Sequence, residues 1–197
     1  MRKAPQRKNY HHGDLRAQIL LKSAEIIATE GIEALSIRQV AKSLGVSHNA
    51  PSRHFDSRAA LIQELVLDIL GRQRQLLMGV LELNASQSER TRLREALRAY
   101  LRWCDAHPVE AQVMHHPDVR KMADQRIQGA MRDWAHTVES LLGHVRDEKG
   151  AISSSALHFF SLTLGGGAIL LNPLLRGVTA EADGPQLIDR LVDEAYP

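Results

Sequence analysis

A chain of 197 residues with 44% hydrophobic and 24% charged residues falls among ordinary globular proteins, at the size where one large domain gives way to two modules. One cysteine, Cys104, cannot close an intrachain disulfide, and the opening M-R-K-A-P-Q-R-K has no apolar run behind it. Neither a disulfide scaffold nor a secretory signal is expected, and the expected address is the cytoplasm. The net charge of +2 hides an uneven split: residues 1–60 carry 10 Lys/Arg against 5 acids, the remainder 15 against 18. A basic head on a mildly acidic body points to a polyanionic partner for the head.

Residues 1–13 hold Arg2, Lys3, Arg7 and Lys8 and no acid, and read as a flexible basic arm. A first helix opens at Asp14, puts Leu15, Ile19 and Ile26 on one face and ends at Gly31. The second carries Ile37, Val40, Ala41 and Leu44 at i, i+3, i+4 and i+7. Ser36 and Gln39 predict a capping box at its start, and Gly45 suits a left-handed position at its end. Ser47 is a natural N-cap for a short third helix reaching about His54, and Asp56 or Ser57 caps a fourth with Leu61, Leu65 and Ile69 inward.

Beyond these, Leu93, Leu97, Tyr100, Leu101 and Cys104 mark a helix that stops before Pro108, and a short one spans roughly 108–116. A long helix carries Ile127, Met131, Trp134, Val138, Leu141 and Val145 and closes at Gly150; another runs from about Ser153 to Asn172, and the last covers about 185–195. Strand-like alternation persists nowhere, so the expected class is all-α.

The block S-I-R-Q-V-A-K-S-L-G-V-S-H-N-A-P-S-R-H-F, Ser36 to Phe55, has what two crossing helices joined by a tight turn require. Ala41 is small where the helices approach, Gly45 takes the turn, and Val46 anchors it in the core. Ser47 then starts a helix whose outer positions, His48, Asn49, Ser52 and Arg53, are polar and short. Such a helix presents its N-terminal side chains to base edges in the major groove. An ordinary helical hairpin with a polar surface is the alternative reading of the block alone.

Residues 9–62 resemble the DNA-binding domain of the TetR family of regulators, above all members that open N-Y-H-H-G-D-L (Asn9 to Leu15) and whose third helix reads S-H-x-A-P-x-R-H-F (Ser47 to Phe55). Two positions depart from the family pattern. Ser52 stands where an aromatic residue is usual, and Arg58 where lysine is usual. Arginine keeps the charge for a phosphate, whereas serine keeps a hydroxyl and loses the ring. Pro51 falls inside the short helix, removes a backbone bond, and should leave the helix short and stiff.

The resemblance implies roles. His48, Asn49 and Arg53 are the candidates for base reading, since asparagine suits adenine and arginine guanine. Ser36, Ser47, Ser52, His54 and Arg58 are candidates for holding phosphates. Arg7, Lys8 and Tyr10 of the arm are candidates for an adjacent minor groove or for added nonspecific affinity, a solubilising tail being the alternative.

The run A-L-H-F-F-S-L-T-L-G-G-G-A-I-L-L, Ala156 to Leu171, is short of the ~20 apolar residues of a membrane span and reads as a helix buried by a partner. Gly165, Gly166 and Gly167 would allow close backbone approach, and no Gly-Lys-Ser/Thr follows to make a phosphate loop. The family forms dimers through four-helix interfaces, which implies that this helix and the last one, with Leu187 and Leu191, pair two copies. Cys104 with His107, and His115 with His116, complete no metal site, and no catalytic constellation is identified. Trp103, His107, Met114, Met131, Trp134 and Phe160 are candidates for a pocket that takes an apolar small-molecule effector, with core filling as the alternative.

The expectation is thus an all-α protein with a three-helix helix-turn-helix DNA-binding domain (14–57) after the arm (1–13), then a helical ligand-binding and dimerisation domain (58–197). Its partners are double-stranded DNA, a second copy and an effector, with no metal, cofactor or membrane. The alternative is a helical ligand-binding protein or enzyme whose head serves only for interaction; a milder one is an activator or nucleoid-type binder.

Overall fold

The structure, a computed structural model, describes residues 12–122, 124–143, 152–178 and 184–196. Among these residues all regular structure is helical. The chain divides into two compact units between Leu65 and Val66.

The first unit holds α1 (His12–Glu30), a single 3-10 turn (Ile32–Ala34), α2 (Ile37–Leu44), α3 (Asn49–Ser52) and the opening of α4 (Arg58–Leu83). α1 packs on the 3-10 turn, α2 and α3, and α2 packs on α3. Leu15, Ile19 and Ile26 are buried together with Leu35, Val40, Ala41, Phe55 and Leu61. Val46 and Leu44 are only half-buried, so the turn is anchored less deeply than the sequence suggests.

Each end of α2 is closed by local chemistry. Ser36 Oγ accepts from Gln39 N at 3.2 Å, which satisfies one of the amides that a helix start leaves without a partner. The reciprocal half of the expected capping box does not form, because Gln39 Nε2 donates instead to Glu30 Oε2 (2.8 Å) at the end of α1. At the other end Gly45 is left-handed (φ 65°, ψ 26°). There Gly45 N donates to Lys42 O and Val46 N to Ala41 O, both at 3.1 Å, a pair of bonds that an αL glycine makes at little cost.

The second unit is built on α5 (Glu89–Ala106), which buries Leu93, Leu97, Tyr100, Leu101 and Cys104 at helical spacing. Around it lie α6 (Pro108–His115), α7 (Pro117–Arg120), α8 (Gln125–Leu141), α9 (Ser154–Leu171), α10 (Pro173–Val178) and α11 (Gly184–Ala195). α9 and α11 both pack along α5, and α9 also meets α6, α8 and α10. The buried carboxylate of Glu139 on α8 accepts from Ser153 N (2.7 Å) and Ser153 Oγ (3.1 Å), while Ser153 Oγ caps α9 by accepting from Ala156 N (3.1 Å). On the rim Arg94, Arg98 and Arg102, one turn apart, pair with Asp189 and Asp193 of α11.

Three expectations change. α8 ends at Leu141, with Gly143 left-handed (φ 70°) two residues on, so the long helix stops sooner than its apolar pattern predicts; Val145 and Gly150 lie outside the described residues. Met131 is 44% exposed and does not face inward with Trp134. α7 and α10 are short helices begun by Pro117 and Pro173, directly after the points, 116 and Asn172, where the sequence pattern ends the preceding helices; proline's fixed φ suits a first helical position as well as a break.

Candidate nucleic-acid interface

α3 is a four-residue helix, and Pro51 explains its brevity. Lacking an N–H, Pro51 cannot donate back to Ser47 O, so the segment opens as a tighter turn in which Ala50 N reaches Ser47 O at 2.9 Å. His48, not Ser47, occupies the cap position, and no side chain caps the helix. Downstream, His54 N and Phe55 N both donate to Pro51 O (2.9 and 3.0 Å), holding the turn beyond α3.

Pro51 and Phe55 are buried, which seats the segment, while Ser47, His48, Asn49, Ser52 and Arg53 are exposed. The spacing 48, 49, 52, 53 is one face of a helix, so the three base-reading candidates project from the same side. Arg16 of α1 lies over the Phe55 ring (5.7 Å to its centroid) and also pairs with Glu64 of α4, bracing the turn that follows α3. His54 is half-buried beside the Phe55 ring, 6.5 Å between centroids.

Arg58 is placed otherwise than a phosphate contact requires. Its Nε donates to Leu35 O (2.9 Å) and its Nη2 to Ile32 O (2.8 Å), so the guanidinium ties α4 to the turn before α2. The fork of N–H groups thus reaches two carbonyls at the 3-10 turn, of which Ile32 O also accepts from Leu35 N at 3.2 Å. Ser36 spends its oxygen on the cap of α2 and keeps its O–H for an outside acceptor. Arg7, Lys8 and Tyr10 lie outside the described residues. Two cations that the sequence reading passed over, Arg38 and Lys42, stand exposed on α2; their i, i+4 spacing in a basic segment was the available signal.

The effector-pocket candidates are only partly brought together. His107 stacks on Trp103 (5.2 Å, 17°), Trp103 lies 6.5 Å from Tyr100, Tyr100 meets Trp134 edge-on at 6.2 Å, and Trp134 lies 4.8 Å from Phe160. Trp103 and Trp134 are buried in this row of rings, Met114 is half-buried, and Met131 is exposed outside it. A groove of about 590 Å³ lies elsewhere in the second unit, lined by Glu89, Arg90, Leu93, Ser155, His158 and Tyr196, and contains none of the six candidates.

The glycines of α9 are also largely spent inside the chain. A Cβ on Gly166 would come within 2.7 Å of Leu101 Cδ2, and one on Gly167 within 3.2 Å of His115 Cε1, so both let α9 approach α5 and α6. Leu187 is buried as well (2% exposed), and Leu191 is half-buried. Gly165 alone of the three opens onto free space. By length and composition α9 meets the minimum for a membrane span, yet its Ala156, Phe159, Thr163 and Leu170 are buried as in a packed bundle helix.

Among the described residues no group of three or more His, Cys, Asp and Glu could hold a metal. Cys104 is fully buried, and burial pushes its thiol up to about 12, with the Tyr100 bond pulling down and Asp105 pushing up. A thiol so raised carries almost no thiolate at neutral pH. Native protein is therefore expected to resist an aromatic disulfide reagent at about pH 8 and to react fully only in denaturant. Rapid reaction of the native chain would contradict this burial.

Residues 19–65 match the family model described as bacterial regulatory proteins, tetR family. Over 96% of its length the chain superposes on 97% of a protein of unknown function from Rhodococcus sp. RHA1 (TM-score 0.73, 24% identity). It likewise covers 97% of the fatty acid degradation regulator FadR from Bacillus halodurans with 97% of its own length (TM-score 0.70, 14% identity). The TetR family transcriptional regulator PfmR from Thermus thermophilus is matched over 91% of this chain and 97% of that one (TM-score 0.64, 17% identity). No curated protein matches the chain. The chain is thus similar to bacterial regulatory proteins of the tetR family over residues 19–65, and along nearly its whole length it has the fold of such regulators.

Proposed function

We propose that the protein is a TetR-family transcription regulator that binds duplex DNA through α3. The carrying observation is the exposed row of His48, Asn49, Ser52 and Arg53 held on a segment whose Pro51 and Phe55 are buried. A short polar face on a rigid support is what reading base edges in a major groove requires. The match of residues 19–65 to the family model supports the same reading. The arm and helix-turn-helix (1–13, 14–57) bind DNA, and residues 58–197 dimerise and take an effector in the cytoplasm.

Two copies pair through the outward face of α9, where Leu157 (58%) and Leu164 (59%) are exposed beside Gly165, and through α10 with Leu174 (81%) and Leu175 (42%). Apolar surface of this kind is stabilised by a partner. A dimer places two recognition helices in successive major grooves, about 34–36 Å apart, on a pseudo-palindromic site. It acts as a repressor, and a small apolar effector near the Trp103–Trp134–Phe160 rings releases the DNA by favouring another spacing of the heads.

The test is a gel shift with the duplex upstream of the protein's own gene against random competitor, together with the mass on gel filtration. A dimer that prefers the upstream duplex supports the proposal. A monomer indifferent to it overturns the proposal and leaves a helical ligand-binding protein.

A further inference from the structure

We propose that the groove lined by the first turns of α5 and α9 and the end of α11 binds a small zwitterion, a free amino acid with an apolar side chain. The groove lies wholly within the second unit and contains none of the residues in the row of rings, and its ligand does not depend on DNA binding. Its volume of about 590 Å³ falls within the ~300–1,000 Å³ of sites that take small molecules. Leu93 and Tyr196, both buried, supply the apolar part of the lining, and His158 meets the Tyr196 ring edge-on at 6.2 Å.

Two charges of opposite sign stand at this apolar surface. Glu89 and Arg90, the first two residues of α5, are exposed, and neither carries an ion pair among the described residues. Adjacent residues of a helix do not face each other, so the two do not neutralise one another. A purely anionic ligand would meet Glu89 and a purely cationic one Arg90, whereas a zwitterion satisfies both. The helix ends have the same polarity. The starts of α5 and α9 leave amides without helical partners and favour a carboxylate, while the end of α11 at Ala195 favours an ammonium. Tyr196 adds an independent observation: the residue is only 8% exposed, and its enclosed hydroxyl has no hydrogen-bond partner among the described residues. Burial pushes that phenol up to about 12, with the Glu89 carboxylate pushing the same way, so at neutral pH it remains an O–H donor. A buried hydroxyl without a partner weakens the free fold, and a ligand carboxylate supplies the acceptor it lacks.

The probe is L-phenylalanine, titrated calorimetrically into the full chain, with L-leucine as a second ligand. Phenylpropionate and phenethylamine serve as analogues that lack the ammonium and the carboxylate respectively. Each amino acid is expected to bind once per chain, and each analogue roughly tenfold more weakly than phenylalanine. Arg90→Gln is expected to lose about tenfold in affinity for phenylalanine and nothing for phenethylamine; Glu89→Gln should lose about tenfold for phenylalanine and nothing for phenylpropionate. Tyr196→Phe is expected to bind phenylalanine more weakly yet melt no lower than wild type, because it removes a hydroxyl that has no partner. Absence of binding by both amino acids would overturn the proposal. So would an analogue that binds as well as phenylalanine, charge variants that bind like wild type, or a Tyr196→Phe variant that melts lower. The gel shift with the upstream duplex reads the DNA-binding proposal separately, so either can fail without the other.

Discussion

Replacing Arg53 by alanine is expected to cost about 1–3 kcal/mol of discrimination at particular base pairs of the operator, roughly 5–150-fold, while affinity for random duplex falls far less. Arg53 is exposed at the end of α3, on the same face as His48 and Asn49. A guanidinium on such a face can make two parallel bonds to one guanine, and alanine makes neither. A nearby phosphate would instead gain only charge from Arg53, and its loss would then weaken all sequences alike. The measurement is competition between the upstream duplex and single-base variants of it. Equal loss on every sequence would move Arg53 from base reading to backbone contact.

Phe159→Ala is expected to be the most destabilising of the substitutions considered, at about 3–5 kcal/mol. Phe159 is fully buried on α9 (0% exposed), with its ring 6.3 Å from Trp134 and 6.5 Å from Phe160. Truncation removes a whole ring from the side of α9 that packs on its own unit, and neighbouring helices held by side-chain contacts relax only in part. The thermal midpoint should drop by of order 10 °C, read by circular dichroism. The adjacent Leu157→Ser, on the exposed side of α9, should change the midpoint little at concentrations where the protein is monomeric. A Phe159→Ala midpoint within a degree of wild type would show that α9 is not packed as described.

The fold of the first unit was legible in the sequence because its determinants are local. A serine three residues before a free amide caps α2 wherever the rest of the chain lies, and a glycine takes the left-handed turn that alanine would resist. The exposed face of α3 follows from the spacing of four polar residues around a buried proline. Gln39 shows where local reasoning stops. Its distance from Ser36 predicts a reciprocal box, but the end of α1 presents Glu30, and an amide with a nearby carboxylate goes there.

The second unit was less legible for a related reason. Helical spacing located its main helices, but an apolar stripe does not say which neighbour it meets. Gly166 and Gly167 read as an interface between copies, whereas Leu101 and His115 of the same chain come close to them. The six candidate pocket residues were chosen for their size; the fold draws four into a row of rings through Tyr100, leaves Met131 at the surface, and opens its groove among other residues.

The amino-acid order by itself determined the all-helical class, the caps and turn of α2, and the polar face of α3, because each depends on residues within about one helical turn of one another. Tertiary structure decided what Arg58 binds, which glycines of α9 are free and which aromatic rings meet. Those outcomes depend on which groups compete for a partner across 23 residues or more, as between Arg58 and Leu35, and chain spacing carries no record of that competition.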